Sequence, residues 1–388
     1  MTLRLLIAAV LGALGGGPAM ADSADLEARV HGLLVSFQTE YQFPGATLSY
    51  VLPDGTAGDV AVGLADAEAG AKMTPKTRML AASVGKTLVG ALVLSLESDG
   101  AVSRQNRVSQ YLGAEPWFAR LPNANEMTIR HLLTHTSGLP DHVHMEGVVQ
   151  AIVARGAEAD FGAEQAIAFV LDTPPLFEAG SAWSYTDTGY LLLGLVIENA
   201  AGRDFYGLVQ ERFLGPLGLN ETSPSASPVL PGLAVGYTGQ DNTFGLPSRT
   251  MDADGALLWN PAAEWTGGGF VSTSHDLARW GDALFSGAAL GTPYLDRLLD
   301  GVSVHPDAPG ILYGSGVAIY SQTEFGPVYG HGGWIPGYVS SLRHYGGHGL
   351  TIAFQINSDV GVVDDSTDLV PALEAALAGL LIEAAQSE

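Results

Sequence analysis

A serine and a lysine stand three residues apart, at Ser83 and Lys86, where an apolar segment at 88–96 begins. Residues at this spacing are neighbours on a helix surface, so both side chains would lie on one face. Serine is a weak nucleophile that needs an adjacent base, and a lysine can be that base when its surroundings hold it neutral. The N–H groups at the start of such a helix would favour negative charge on an attacked carbonyl oxygen. The pattern predicts nucleophilic catalysis, although a capping serine beside a surface lysine has the same spacing.

Two competing motifs are excluded at this segment and elsewhere. Gly85-Lys86-Thr87 ends like a phosphate-binding loop, but Leu80 occupies the position where that loop needs its first glycine. No Gly-x-Ser-x-Gly occurs in the chain, so the nucleophile elbow of the α/β-hydrolases is absent.

Two downstream segments could supply the missing partners of Ser83. Tyr185 precedes the apolar stretch 191–197, and beside an ammonium it could be held partly as phenolate and pass protons to a leaving group. A buried tyrosine with a satisfied hydroxyl is the structural alternative. In 329–334, glycines in a strand would let substrate backbone approach and leave an N–H free to donate.

The elements that must position these residues can be read from periodicity. Apolar residues at helical spacing predict a helix over 26–41, and 46–52 with 60–65 predict a hairpin. Strands are predicted at 312–320, 327–331, 338–344 and 350–357, followed by a helix at 367–383. The region between is rich in helices and Gly/Pro loops, with helices predicted at 129–133, 164–171, 188–200, 206–214 and 275–284.

The two ends of the chain therefore predict one unit. A hairpin is marginal alone, so the N-terminal strands should join the C-terminal ones in an antiparallel sheet flanked by the terminal helices. We predict an α+β fold in which 22–99 and 310–388 form the sheet domain and 100–309 a large, mainly helical insertion. The site should lie in the cleft between them.

Composition limits the partners of the protein. The formal charge is −24, from 41 acidic and 17 basic residues, and only three lysines occur, Lys72, Lys76 and Lys86. Such a field disfavours nucleic acid and anionic membranes. The absence of cysteine excludes disulfides and thiolate chemistry. We expect no cofactor.

The N-terminus predicts export. Arg4, the apolar run 5–14 and Ala19-Met20-Ala21 are typical of a signal peptide over 1–21, cleaved near Ala21. The run is too short to span a bilayer comfortably, so we expect a periplasmic or secreted protein without stable membrane insertion; a retained N-terminal anchor is the alternative.

Histidines and acidic residues crowd at 131–146, but they do not fit a metal motif. His131 and His135 lack the glutamate of a zinc-protease helix, and His142-Val143-His144 lacks a following Asp-His. We expect His131 and His135 to cap or pack a helix and predict no metal. Thr273 and Asp276 are typical of a capping box.

Three motifs in order resemble the serine β-lactamase-related family, which includes class C β-lactamases, DD-peptidases and family VIII-type esterases. The run 83–86 is similar to its Ser-x-x-Lys motif, 185–187 to Tyr-x-Asn, and 331–333 to Lys/His-Thr/Ser-Gly. Flanking stretches at 127–139, 190–194 and 267–273 extend the resemblance over most of the mature chain.

The resemblance implies acylation of Ser83 with Lys86 and Tyr185 as general base and acid. It also implies an oxyanion hole from the backbone N–H groups of Ser83 and Trp334, with Asp187, His331, Gly332 and Gly333 binding substrate.

Two departures affect the substrate. Asp187 replaces an amide by an anion that could pair with Lys86, and His331 offers a weaker cationic anchor than lysine. Both argue against an efficient β-lactamase.

These observations predict an exported serine hydrolase that acts on a small peptide, amide or ester, with peptidoglycan-derived peptides among the candidate substrates. A carboxylesterase of the same fold, and a non-catalytic peptidoglycan- or peptide-binding relative, are the alternatives.

Overall fold

The computed structural model describes residues 18–159, 161–240, 242, 244–362 and 366–386. The predicted signal segment lies outside these residues except for 18–21, which belong to the first helix. The export prediction therefore stays a prediction.

Twelve strands are found in the described ranges, and they form a large and a small sheet. They are β1 (Gly45–Val51), β2 (Ala57–Asp66), β3 (Ala71–Lys72), β4 (Met79–Leu80), β5 (Ser223–Pro224), β6 (Phe270–Ser272), β7 (Val302–Ser303), β8 (Ile311–Tyr313), β9 (Ala318–Tyr320), β10 (Val328–Ile335), β11 (Tyr338–Tyr345) and β12 (Leu350–Ile356). The large sheet has the order β3-β2-β1-β12-β11-β10-β9-β8-β7, and the small one β4-β6-β5. All of these neighbours pair antiparallel.

Helices cover both faces of the large sheet and fill the middle of the chain. They are α1 (Pro18–Tyr41), α2 (Lys86–Ser98), α3 (Ser109–Leu112), α4 (Ile129–Leu133), α5 (Val148–Arg155), α6 (Ala163–Ile167), α7 (Asp187–Ala201), α8 (Phe205–Val209), α9 (Gly215–Leu217), α10 (Ser274–Phe285), α11 (Tyr294–Leu298) and α12 (Leu369–Gln386). Short 3₁₀ segments include Ala82–Gly85, His142–His144 and Trp265–Gly267, and Gln210–Leu214 is a π-helical turn.

Strand β1 joins the two ends of the chain, as the sequence predicts. It pairs with β2 on one side and with β12 on the other, where Leu48 lies opposite Phe354. Because side chains alternate along a strand, Leu48 packs with α1 and α12 on one face. On the other face Thr47 bonds Ser274 of α10 at 2.7 Å. The antiparallel α+β fold is confirmed.

One predicted strand is wrong in detail. The stretch 312–320 is a hairpin of β8 and β9 rather than one strand. The N–H of Gly314 donates to the carbonyl of Val317 at 2.8 Å, and Gly316 adopts a positive φ of 79°. The Gly-Ser-Gly turn at 314–316 outweighs the apolar pattern around it.

The division into a sheet domain (22–99 with 310–388) and an insertion (100–309) stays a prediction. Two elements of the 100–309 range, helix α10 and strand β7, pack on or belong to the large sheet. Helix α10 packs on β1, β11 and β12, and β7 is the edge strand of the large sheet. Helix α2, from the other range, packs against α7 and α11.

Helix α12 is the one described helix that is long and apolar enough to cross a bilayer. Its apolar face, which includes Leu373, Leu377 and Leu381, is buried in the core between α1 and the large sheet. Core helices of folded domains have this composition too, so the observation does not indicate a membrane span.

The helix is tied to the sheet by a buried ion pair. Arg343 Nε lies 3.1 Å from Glu374 Oε1, and the two side chains are 8% and 20% exposed. The Ser341 hydroxyl donates to the same Glu374 oxygen at 2.5 Å. Removing one member of such a pair leaves an uncompensated charge.

We expect Glu374→Ala to lower the free energy of unfolding by about 3 kcal/mol, because Arg343 would remain buried without its partner. The double variant Arg343→Met/Glu374→Leu removes both charges and should lose clearly less. Chemical denaturation of the three proteins measures the difference. A double variant at least as unstable as the single one would contradict this account.

Candidate active site

The predicted nucleophile lies on a tight turn clamped between the two sheets. Ser83 belongs to the 3₁₀ turn Ala82–Gly85, which runs directly into α2. Ala82 has a positive φ of 47°, a strained conformation for a residue with a side chain. The Ala81 N–H donates to Phe270 of β6 at 2.8 Å, and the Ser340 hydroxyl of β11 donates to the Ala81 carbonyl at 2.6 Å.

Close backbone contact around this turn explains several glycines. A Cβ on Gly85 would lie 2.7 Å from the Gly268 carbonyl oxygen, and one on Gly333 would lie 2.5 Å from the Ala81 oxygen. The glycines let β10 and the 265–269 segment pack directly on the nucleophile turn. Gly332 and Gly333 also line the cavity beside Ser83, and their predicted role in binding substrate stays a prediction.

Lys86 is completely buried and surrounded by partners. Its Nζ lies 2.9 Å from Ser83 Oγ and donates to the Gly267 carbonyl. It forms an ion pair of 2.5 Å with Asp187 Oδ1. Asp187 is the first residue of α7, so the packing of α2 on α7 brings the two charges together.

Tyr185 completes the contacts to the nucleophile from the loop before α7. Its hydroxyl donates to Ser83 Oγ at 2.9 Å. Its ring packs on His135, with 4.2 Å between ring centroids, and Lys86 Nζ lies 5.0 Å above it. Backbone bonds from Ser184 to the His135 carbonyl and from Thr186 to His135 Nδ1 fix the loop.

The environment sets the resting protonation states. Burial alone would lower the pKa of Lys86, but Asp187 and Tyr185 outweigh it and hold that pKa above its ordinary value. Burial raises the pKa of Tyr185 to about 12, although Lys86 opposes the rise. The resting site therefore holds an ammonium and a neutral phenol, and the expected partial phenolate is not favoured.

The side chain of Trp334, near the end of β10, is positioned by the buried carboxylate of Asp359. Asp359 Oδ2 accepts from Trp334 Nε1 at 2.9 Å, from the Gly337 N–H at 3.0 Å and from the Thr238 hydroxyl at 3.1 Å. Asp359 is 3% exposed. One carboxylate thus fixes the side chain of the predicted oxyanion donor and the turn that follows it.

His331 lines the site but offers no positive charge. Burial is the main cause that lowers its pKa to about 3. Its Nδ1 donates to the Gly332 carbonyl at 2.5 Å, so Nε2 accepts from the Tyr313 hydroxyl at 2.8 Å. A role of His331 in binding substrate stays a prediction, but that role cannot be a cationic one.

A cavity of about 530 Å³ opens beside Ser83. Its wall includes Tyr185, Asp187, the 331–334 segment and two further carboxylates, Asp141 and Glu264. Burial, followed by the charge of Asp187, raises the pKa of Asp141 to about 7. Burial raises the pKa of Glu264 to about 8, with Lys86 opposing and Asp187 adding to the rise.

The histidine-rich stretch is structural where the sequence predicts it to be. His131 forms a capping box with Thr128 at the start of α4, and His135 packs among aromatic rings. His142 bonds Thr188. Thr273 caps α10 by accepting from the Asp276 N–H. Within the described ranges no three His, Asp or Glu side chains are arranged to hold a metal.

Sequence reasoning missed three contributors to the site. Glu264 and Asp359 stand alone in loops with no motif around them, and Tyr313 lies in the stretch interpreted as one strand. Spacing gives no signal for such residues, because tertiary packing alone brings Glu264 to the cavity, Asp359 to Trp334 and Tyr313 to His331.

Comparison with known proteins identifies the family of this chain. The family model described as Beta-lactamase matches residues 27–377. Penicillin-binding protein 4* of Bacillus subtilis (strain 168) is 27% identical over 288 residues, which cover 72% of this chain and 60% of that protein. Esterase EstB of Burkholderia gladioli is 32% identical over 208 residues, which cover 52% of each chain. The match thus spans between half and two thirds of these relatives.

Solved structures show the same fold. D-amino acid amidase from Ochrobactrum anthropi SV3, complexed with L-phenylalanine amide, superposes with a TM-score of 0.76 at 23% identity. The superposition covers 94% of this chain and 99% of the amidase. At this identity the likeness establishes the fold alone.

The Lys86–Asp187 pair predicts the pH dependence of any serine chemistry. Asp187→Asn removes the main group that raises the Lys86 pKa, and it also removes the carboxylate that could accept the Lys86 proton inside the site. In the variant the ammonium must lose its proton to solvent before Ser83 can react, so we expect the acid limb of kcat/KM to move up by at least about one pH unit. Glu126→Gln, which removes an exposed carboxylate outside the cavity, is the control. An unmoved acid limb would exclude Lys86 as the titrating base.

The contacts of Asp359 with Trp334 predict an effect on oxyanion stabilisation that can be distinguished from an effect on folding stability. Asp359→Ala frees the Trp334 ring and the turn, and should lower kcat by about tenfold to a hundredfold with little change in KM. Thr238→Val removes one bond to the same carboxylate without freeing Trp334, and should stay within about threefold. Steady-state kinetics on one activated ester measures both. Equal losses in the two variants would mean that Asp359 acts only on stability.

Proposed function

This chain belongs to the beta-lactamase family of serine hydrolases, and we propose that it is exported and cleaves an amide or ester through an acyl intermediate on Ser83. One observation carries the proposal: Ser83 Oγ lies 2.9 Å from both Lys86 Nζ and the Tyr185 hydroxyl. A nucleophile within hydrogen-bond reach of its proton partners is the arrangement that covalent catalysis needs. It favours an enzyme over a non-catalytic binding relative.

The proposed reaction begins with loss of a proton from Lys86. A substrate in the cavity would exclude water from Asp187, which is 25% exposed, and a drier ion pair is less stable in its charged form. The Lys86 proton then passes to Asp187 along their 2.5 Å contact. The neutral amine accepts the Ser83 proton as Oγ attacks the substrate carbonyl carbon.

The remaining steps use groups already in contact with Ser83. Backbone N–H groups of Ser83 and Trp334 would stabilise the oxyanion. Tyr185, a neutral phenol at rest, gives its proton to the leaving amine or alcohol and recovers one from Lys86. Water attacks the acyl carbon and gives a proton to the neutral Lys86, the bond from the acyl carbon to Ser83 Oγ breaks, and Oγ takes that proton back as the acid is released. Asp187 then returns its proton to Lys86, which restores the resting ion pair.

Charge at the site bears on the substrate. His331 is neutral, and Lys86 is neutralised by Asp187, so neither offers a free cation to a substrate carboxylate. This disfavours β-lactams and peptides with a free C-terminal carboxylate, peptidoglycan-derived ones included. It supports the esterase or amidase alternative over a D-alanyl-D-alanine peptidase.

Export is proposed on the signal-like pattern of residues 1–21. The proposed substrate is a small molecule, and no nucleic acid or cofactor enters the mechanism.

A fluorophosphonate probe tests the nucleophile directly. We expect one adduct on Ser83 by peptide mass spectrometry, and none in Ser83→Ala, whose turnover of activated esters should fall by at least about 10⁴-fold. Ser227→Ala, an exposed serine outside the cavity, should label and turn over normally. Full activity in Ser83→Ala would overturn the proposed function.

A substrate panel separates the subclasses. We expect hydrolysis of p-nitrophenyl esters and neutral amides to exceed that of D-alanyl-D-alanine peptides and β-lactams by at least about tenfold in kcat/KM, because the site lacks a free cation. A preference for the carboxylate-bearing substrates would restore the peptidase or β-lactamase assignment.

A further inference from the structure

The cavity beside Ser83 is lined by more acidic side chains than basic ones. Asp141, Asp187 and Glu264 all contribute to its wall, and the described residues that line it include no lysine or arginine. Lys86 Nζ lies 2.9 Å from Ser83 Oγ, but its charge is neutralised by the ion pair with Asp187. The imidazoles of His142 and His331 are neutral, because burial lowers their pKa values to about 4 and about 3.

Two of these carboxylates have oxygens with unused acceptor capacity. The Asp141 side chain is 9% exposed. Its Oδ1 accepts the N–H groups of Val143 and Asp187, whereas His144 Nε2, 3.9 Å from Oδ2, is beyond hydrogen-bond distance. Glu264 Oε2 is buried and accepts no hydrogen bond from the described residues.

Unpartnered carboxylate oxygens in a cavity are costly. Burial and the nearby Asp187 raise the pKa values of both side chains, to about 7 for Asp141 and about 8 for Glu264. A ligand that brought positive charge and N–H donors would satisfy Glu264 Oε2 and would favour the ionised form of both carboxyl groups. A ligand carboxylate would oppose the ionisation of both groups.

Much of the remaining cavity wall is apolar. The large apolar side chains that line it include those of Ile152 in α5, Phe244, Leu246, Trp259 and Ile335. Leu246, Trp259 and Ile335 are largely buried in one cluster, so this wall is preformed. Such a surface would hold an aromatic or branched aliphatic group.

We propose that the cavity binds a cationic, apolar substrate, namely an amino-acid amide or ester with a free amine. Its ammonium group donates to Glu264, its side chain packs on the apolar wall that includes Trp259, and its carbonyl carbon faces Ser83. This inference rests on the proposed function for the reaction, but the binding of the ammonium group does not require catalysis. The net charge of −24 adds a field that attracts cations.

Calorimetry on Ser83→Ala tests binding without turnover. The probes are 2-phenylethylammonium and the uncharged 2-phenylethanol, at about pH 8, where an alkylamine of pKa about 10 stays protonated. We expect the ammonium to bind at least about tenfold more tightly. Adding Glu264→Gln should remove most of that preference, and adding Glu126→Gln should leave it unchanged.

Wild-type kinetics give a second reading that needs no variant. Phenylalanine p-nitroanilide with a free amine should exceed its N-acetyl form by at least about tenfold in kcat/KM. Equal binding of the two probes, or preference for the N-acetyl substrate, would overturn the inference. Fluorophosphonate labelling of Ser83 separates the two proposals: labelling without ammonium preference leaves the proposed function standing, and ammonium preference without labelling leaves this inference standing.

Discussion

The buried ion pair between Lys86 and Asp187 is the interaction on which the rest of the site depends. A fully buried ammonium costs several kcal/mol unless a counter-charge and hydrogen-bond acceptors surround it. Asp187, the Gly267 carbonyl and Ser83 Oγ supply them, from α7, from the segment before β6 and from the nucleophile turn. The lysine therefore fixes the relative positions of three parts of the chain that are far apart in sequence.

The same burial controls the other ionisable groups nearby. His135 and His331 stay neutral because burial, with Lys86 adding to it, lowers their pKa values, and burial keeps Tyr185 a phenol. Among the described residues, the Lys86 ammonium at the site and the Arg343 guanidinium near His331 are each already paired with a carboxylate, from Asp187 and Glu374. Asp141 and Glu264 add carboxyl groups to the cavity wall, and with the pairing of Lys86 by Asp187 they are the basis of the proposed substrate class.

Much of this arrangement follows from the sequence, and the part that does not has a physical reason. The i, i+3 spacing of Ser83 and Lys86 and the alternation of β1 are local signals, and they place the nucleophile on a helix start beside an antiparallel sheet. The protonation states could not be obtained in that way, since they depend on desolvation by residues from many elements. Glu264 and Asp359 are isolated in sequence, and only packing brings them to the cavity and to Trp334.

The location of the nucleophile turn explains why two sheets are needed. The carbonyl of Ala81 is held by Ser340 of the large sheet and its N–H by Phe270 of the small one, while Gln355 of β12 donates to the Met79 carbonyl. A turn fixed on both sides can sustain the positive φ at Ala82, because the surrounding bonds leave no relaxed alternative. Rigid support of this kind holds Ser83 Oγ at 2.9 Å from both proton partners before substrate arrives. The chemistry then requires movement of protons rather than of the backbone.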